Sequence, residues 1–227
     1  MSKLAYFQST LGRKQIVGLA GLGLAGFVLS HMAGNLLLLV SPQAYNEYAH
    51  ALVSNPLIYV AELGLVGLFL GHIVMAVILT LKNKSARPNR YHVVADGKKK
   101  TSLAQKTLIH QGMIILIFLI LHLITFKFGP GYSGEADYTV AYGGVEMRDM
   151  YKLVAAIFQN PAWVGFYVFT LLLLGFHLNH GLQSSIKTLG FNHPKYEPKI
   201  KLIGSAYAWI VTLGFISQPV VLMLKGN

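Results

Sequence analysis

The chain consists of long apolar runs separated by polar connections. A helix needs roughly 20 apolar residues to cross about 30 Å of hydrocarbon. Lipid offers no partner for unpaired backbone groups, so such runs fold as helices rather than strands. Five runs reach this length, at residues 16–40, 57–81, 108–126, 162–186 and 202–224. The pattern predicts an all-α membrane protein in which residues 1–227 form one domain, a bundle of five transmembrane helices.

A long connection at residues 127–161 joins the third and fourth spans. It opens with the glycine-rich stretch "GPGYSGEADYTVAYGG" and continues with Met150, Leu153 and Val154 at helical spacing. This spacing predicts a short amphipathic helix that lies along the membrane surface.

Composition agrees with a membrane protein. The chain is 54% hydrophobic and 12% charged, with a mean hydropathy of +0.52, whereas soluble domains carry about 25% charged residues. There is no cysteine, which excludes disulfides, iron–sulfur ligation, thiolate zinc sites and covalently attached haem. Any metal must be held by histidine, carboxylate or a non-covalent cofactor.

The net charge of +11 is confined to one side of the predicted bundle. All but four of the 19 lysine and arginine residues precede the first span or lie in the second and fourth connections. Positive connections stay in the cytoplasm, so the N-terminus is predicted inside, and the C-terminus and residues 127–161 outside. This distribution does not resemble a nucleic-acid patch. The basic face could hold anionic lipid head groups or dock a soluble partner.

Each of the first four spans contains a histidine, and ionisable residues within a membrane usually mark a functional site. His31 lies 17 residues beyond Lys14, and His122 lies 16 beyond Lys106. His72 lies 10 residues before Lys82, and His177 lies 10 before Lys187. At 1.5 Å per residue, the first two sit roughly 25 Å from the inner boundary and the other two roughly 15 Å. The histidines therefore form two level pairs, separated by roughly 10 Å.

Two imidazoles facing each other at one level suit a haem that is held by two axial histidines. Glycines in the first two spans and beside the fourth histidine would leave room for a flat macrocycle. A zinc ion would need about four ligands at one centre, and a histidine proton relay would not need matched levels. The pairs therefore predict two b-type haems stacked across the membrane.

The whole chain resembles the dihaem cytochrome b membrane anchor of succinate dehydrogenases and fumarate reductases, the succinate:quinone oxidoreductases. The matching stretches are "SHMAGNLLL", "LGHIVMAVILTLKNK", "LIFLILHLITF" and, most specifically, "GFHLNHGLQSSIKTLGFNHPKY". The resemblance implies that His31 and His122 bind the outer haem iron, and that His72 and His177 bind the inner one. His180 lies one turn nearer the cytoplasm. It is then either a polar group that lies beside the inner haem or beside a quinone, or a structural residue held by a hydrogen bond.

The resemblance also implies a function and partners. The subunit would pass electrons between a docked iron–sulfur subunit and a membrane quinone, menaquinone or ubiquinone, in the cytoplasmic (inner) membrane of a prokaryote. This chain has no flavin, dinucleotide or cluster motif. Succinate oxidation or fumarate reduction would therefore need a flavoprotein subunit as well as the iron–sulfur subunit.

Quinone chemistry needs proton donors or acceptors beside the carbonyl oxygens. Near the outer end, Glu62 is the only acid in an apolar span, although it could equally be an interfacial acid exposed to head groups. The further candidates are His50 and Tyr59 near Glu62, and His110, Gln111, His180, Gln183 and Ser184 near the inner end. Cationic candidates for the propionates of the inner haem are Arg13, Lys14 and Lys106.

Two other functions fit the same pattern. One is the dihaem cytochrome b anchor of another quinone-linked enzyme, such as a formate dehydrogenase or a hydrogenase. The other is a non-redox transporter whose histidines relay protons. Transporters often contain inverted repeats, and the sequence contains no internal repeat.

Overall fold

A computed structural model describes Tyr6 and residues 8–86 and 106–226. The basic residues Lys3, Arg87, Arg90 and those at 98–100 lie outside the described residues. The described part contains five helices that are long and apolar enough to cross a membrane. They are α1 (Thr10–Asn35), α3 (Leu57–Ser85), α4 (Leu108–His122), α6 (Pro161–Thr188) and α7 (Glu197–Lys225). The third span reaches 20 residues when the π turn that follows α4 is included. This confirms the predicted all-α bundle of a multi-pass membrane protein.

Smaller elements lie between the spans. A 3₁₀ turn (Leu36–Leu39) extends α1, and a π turn (Leu123–Lys127) extends α4. The others are α2 (Pro42–Ser54), a 3₁₀ turn (Ala136–Tyr138), β1 (Thr139–Tyr142), β2 (Val145–Arg148) and α5 (Met150–Phe158).

Several helices begin or end outside the predicted apolar runs, because polar residues continue the helical hydrogen bonds at the interface. The first span was predicted to begin at residue 16, but α1 begins at Thr10, where the Ser9 hydroxyl accepts from the Gly12 N–H at 3.1 Å. The Asn160 side chain caps α6 by accepting from the Ala162 N–H at 2.9 Å. Hydrophobicity therefore locates the membrane-crossing part of a helix, whereas caps locate its end.

Helices α1 and α6 form the centre of the bundle. They pack against each other and against α7, while α3 packs mainly on α1 and α4 mainly on α6. No residue of α3 is buried, and apolar side chains such as Leu63 (74% exposed) cover its outer face. The centre is packed closely: a Cβ added to Gly175 of α6 would lie 2.5 Å from Thr212 Oγ1 of α7.

The two ends of the bundle differ. The loop end carries α2, the β1–β2 hairpin and α5, and the basic end carries Lys14, Lys187 and the other described cations of the second and fourth connections. In the hairpin, Tyr142 pairs with Val145 across a two-residue turn in which Gly143 and Gly144 have φ of 58° and 80°. Glycine adopts such positive φ values at little cost.

Helix α5 lies in the connection for which the sequence predicts a short amphipathic helix. Its Leu153, Val154 and Phe158 are buried in the largest hydrophobic cluster. The Asp149 carboxylate caps the helix by accepting from the Lys152 N–H at 2.9 Å. The fully buried Asn46 of α2 donates to the same carboxylate at 2.9 Å. Helix α5 is thus part of a packed lid on the loop end.

Candidate functional site

The four span histidines meet in two pairs across the bundle. The loop-end pair consists of His31 of α1 and His122 of α4, whose ring centroids are 5.9 Å apart with planes at 90°. The basic-end pair consists of His72 of α3 and His177 of α6, whose ring centroids are 6.2 Å apart with planes at 70°. These are the pairs that depth along the sequence predicts.

Side chains surround the loop-end pair. The Nδ1 atom of His122 lies 3.2 Å from the Tyr167 hydroxyl, and the His31 ring stacks on Phe27 with centroids 5.3 Å apart. The Asn35 amide nitrogen lies 3.3 Å from His31 Nδ1 and donates to the backbone oxygen of His31 at 2.8 Å. Phe118 and Phe126 also contact His122, with centroids 5.7 and 5.2 Å away. Aromatic rings hold this pair in place.

The basic-end pair is held by main chain and small residues. His72 Nδ1 lies 3.3 Å from the Val17 carbonyl oxygen of α1. A carbonyl only accepts, so Nδ1 carries the hydrogen and Nε2 keeps a free lone pair. A Cβ added to Gly21 would lie 3.5 Å from the His72 ring, and one added to Gly112 would lie 3.9 Å from His177 Cε1. Glycine lets the backbone approach both rings.

Two glycine contacts indicate the distance between the pairs. On α1, Gly21 faces the basic-end pair, and His31 follows ten residues later. On α4, Gly112 faces the same pair, and His122 also follows ten residues later. Ten residues span about 15 Å of helix. These contacts indicate a spacing of about 15 Å along α1 and α4, whereas the counts from the lysines predict roughly 10 Å.

The spacing within each pair fits two-sided coordination of one metal ion. Two imidazole nitrogens bound at about 2.0 Å on opposite sides lie about 4 Å apart, which places the ring centroids about 6 Å apart. Both observed distances match this value. Within residues 8–86 and 106–226, no three histidine, aspartate or glutamate side chains gather as a metal cluster. Each pair brings two imidazole rings together at a spacing that would suit one haem.

Two buried polar atoms near the basic-end pair also fit a bound group. Within the described residues, Arg13 Nη1 and His177 Nδ1 are buried without a hydrogen-bond partner. Arg13 lies one helical turn before Val17, whose carbonyl contacts His72. A buried unpaired guanidinium nitrogen is costly. Its position suits the carboxylate of a haem propionate, as the sequence predicts for this residue.

Four of the predicted basic-end residues line one cavity of about 390 Å³, the basic-end pocket. They are Lys14, His180, Gln183 and Ser184, and the pocket is completed by Leu11, Lys187, Thr188 and Asn192. The other four candidates at this end do not line it, and one of them is Arg13, described above. His110 and Lys106 are exposed, and Gln111 is buried with its amide donating to Thr107 Oγ1 at 2.9 Å. The predicted inner group is thus divided by the fold.

At the loop end, Glu62 of α3 forms an ion pair with Lys127 at the end of the π turn, and both side chains are partly exposed. His50 lies 3.3 Å from the Ser54 hydroxyl, and Tyr59 is 71% exposed. The sequence places these three candidates near one another, but the partner of the acid is a lysine 65 residues away.

A second cation organises the loop end. The Arg148 guanidinium of β2 donates to the backbone oxygens of Lys127 at 3.1 Å and Gly129 at 3.0 Å, so it caps the end of the third span. Burial lowers the pKa of Arg148, while the neighbouring Glu135 and Tyr45 oppose the shift. Burial also raises the pKa of the Tyr45 phenol, which remains a neutral donor to Asn35 Oδ1 at 3.0 Å.

Sequence reasoning missed the groups that hold the histidines. Asn35 lies four residues after His31 on one helix face, so its spacing could have indicated the contact. Tyr167 and the Val17 carbonyl gave no such signal, because both reach their histidines from other helices. Comparison with family models, with curated proteins and with solved structures yields no match.

Proposed function

We propose that this chain is the membrane cytochrome b subunit of a succinate:quinone oxidoreductase, acting as a succinate dehydrogenase or a fumarate reductase. The observation that carries the proposal is the presence of two facing histidine pairs, each with ring centroids about 6 Å apart, one above the other in a membrane bundle. The choice of reaction, succinate oxidation or fumarate reduction with a quinone, rests on the resemblance of the sequence to this family.

The chain's own residues would bind and orient two b haems. His31 and His122 would bind one haem iron, and His72 and His177 the other. When bound, such haems supply one-electron transfer across the membrane. The Val17 carbonyl fixes the tautomer of His72 by accepting its Nδ1 hydrogen, which would leave Nε2 free to bind the haem iron. Arg13 would neutralise a propionate at the basic end.

The proposed orientation puts the basic end in the cytoplasm of a prokaryote, with the chain in the cytoplasmic membrane. Described lysines at this end include Lys14, Lys82, Lys84, Lys106, Lys195 and Lys199, and all six are exposed. This surface would attract the acidic face of an iron–sulfur subunit, which would connect the chain to a flavoprotein subunit. Complementary charge favours such docking.

The proposed quinone reaction uses Glu62 as its proton donor or acceptor. Glu62 lies ten residues from His72 on α3, which is the same spacing that separates the two histidine pairs on α1 and α4. The acid therefore lies near the level of the loop-end pair. Its ion pair with Lys127 holds the carboxylate in place, and its partial exposure leaves it within reach of a lipid-soluble substrate.

The first experiment is a pyridine haemochrome assay on the purified, detergent-solubilised chain. We expect two b haems per chain, with absorbance typical of low-spin iron held by two histidines. A content of one haem per chain would show that only one of the two histidine pairs binds haem. A chain without haem would reject the electron-transfer proposal and favour a proton-relay transporter. The subunits that copurify with the chain separate the proposed enzyme from a formate dehydrogenase or a hydrogenase.

A further inference from the structure

The proposed electron path assigns the propionate to Arg13 and the quinone to Glu62, so the basic-end pocket has no role in it, although Lys14, His180, Gln183 and Ser184 are candidates by sequence. It lies between the start of α1 and the end of α6, and its cavity of about 390 Å³ falls in the size range of small-molecule sites. Leu11 and Lys14 contribute from α1, and Ser184, Lys187 and Thr188 contribute from α6. The lining is mostly polar, which is unusual within a chain that is 54% hydrophobic.

The charge of the pocket favours an anion. Lys14 and Lys187 both line it. Lys187 lies 3.3 Å from Glu197, but Glu197 also pairs with Lys201 at 3.0 Å. Because a second lysine neutralises this carboxylate, Lys187 can turn toward an anion without leaving Glu197 unpaired.

The neutral groups of the lining favour an anion that accepts several hydrogen bonds. Ser184 and Thr188 carry hydroxyl donors, and Asn192 carries an amide donor. Phosphate oxygens accept from such donors and from lysine ammonium groups at the same time.

The position of the pocket indicates where this phosphate comes from. Helix α1 begins at Thr10 and α6 ends at Thr188, so the pocket lies at the ends of two spans, where lipid head groups meet hydrocarbon. Leu11, 53% exposed, adds an apolar edge on which a glycerol or acyl segment can rest. We propose that the basic-end pocket binds the phosphate head group of an anionic phospholipid.

Native mass spectrometry of the full chain tests this proposal without any redox measurement, so the result does not depend on the proposed function. Phosphatidylglycerol and phosphatidylcholine are added separately to the detergent-solubilised protein, and the fraction with bound lipid is measured. The test variant is Lys14→Gln with Lys187→Gln. The matched control is Lys195→Gln with Lys199→Gln, which removes the same charge from exposed lysines of the same end that do not line the pocket.

We expect the wild type and the control to retain phosphatidylglycerol over phosphatidylcholine, and the pocket variant to retain it about 25-fold less well. Each lysine near an anionic lipid surface contributes about fivefold in binding. If the double variant misfolds, Lys14→Gln alone should show about a fivefold loss, because Lys14 is exposed.

Three results would overturn the proposal. Equal retention of the two lipids would exclude recognition of an anionic head group. An equal loss in the control would show a general effect of surface charge. Displacement of the lipid by inorganic phosphate or by a soluble short-chain quinone would assign the pocket to that molecule instead.

Discussion

The loop-end and basic-end histidine pairs reach nearly the same spacing by different means. At the loop end, side chains such as Tyr167 and Phe126 contact the rings. At the basic end, the backbone carbonyl of Val17 and the close approach of Gly21 hold His72. Side-chain contacts can change with a single substitution, whereas a main-chain contact changes only if a helix moves. Single substitutions can therefore change the surroundings of the loop-end rings more readily than those of the basic-end rings.

The two ends also differ in how they are closed. The lid of α2, the hairpin and α5 buries the largest hydrophobic cluster at the loop end. The basic end keeps a polar pocket and exposed lysines. This contrast suits a molecule that exchanges electrons with a soluble partner at one end and reacts with a lipid-soluble molecule at the other.

Removal of one ligand from each pair should have the largest effect. His122→Ala and His177→Ala should each reduce the haem content from two b haems to one, because a single imidazole leaves one side of the iron without its protein ligand. His180→Ala is the matched control and should retain both haems. Haemochrome assays with redox titration give the count and identify the remaining haem. Loss of a haem in the control would assign His180 as a ligand.

Glu62→Gln should impair the quinone reaction proposed for the loop end without changing haem binding at either histidine pair. We expect quinone turnover to fall by about 10²-fold or more, because a positioned acid or base commonly contributes at least that much, while both haems remain bound. Glu47→Gln replaces an exposed acid of α2 at the same end and should leave turnover unchanged. Quinol oxidation by the whole complex is the measurement. Normal turnover in Glu62→Gln would show that the acid only forms an ion pair with Lys127.

Gly21→Leu should weaken only the basic-end site. A bulky side chain there would press on the His72 ring, and overpacking of this kind costs about 1–3 kcal/mol. Gly26→Leu is the control on the same helix, because a Cβ at Gly26 meets no atom within 4 Å. Haem titration of the two variants should show partial loss of one haem in the first and none in the second. Equal losses would indicate a general effect on α1.

Tyr167→Phe should have the smallest effect on the haems, and only the haem of the loop-end pair should be affected. The ring remains in its aromatic cluster, but His122 loses its hydroxyl partner. One hydrogen bond contributes about 0.5–1.5 kcal/mol, so the midpoint potential of one haem should shift by tens of millivolts. Tyr132→Phe, at an exposed tyrosine, serves as the control. A shift of both potentials would show that the pairs are not independent.

The sequence predicted much of this arrangement because a membrane restricts what a chain can do. Apolar length alone identifies the five spans, and the count of residues from the helix ends to each histidine predicts that His31 pairs with His122. The same counts predict roughly 10 Å between the pairs, and the glycine contacts on α1 and α4 indicate about 15 Å. Contacts between distant segments, such as Glu62 with Lys127, had no local pattern that could reveal them.

The number of spans, the location of the four histidines and the charge asymmetry of the ends were determined by the sequence alone, because each follows from local composition and from the thickness of a bilayer. The tertiary structure decided which groups contact the histidine rings and that His180 and Lys14 line one pocket. It also decided that Arg148 and Asn46 form the hydrogen bonds that hold the loop-end elements together. Those features depend on how helices rotate and cross. Packing between side chains of different helices sets these angles, and hydrophobicity along one chain does not encode them.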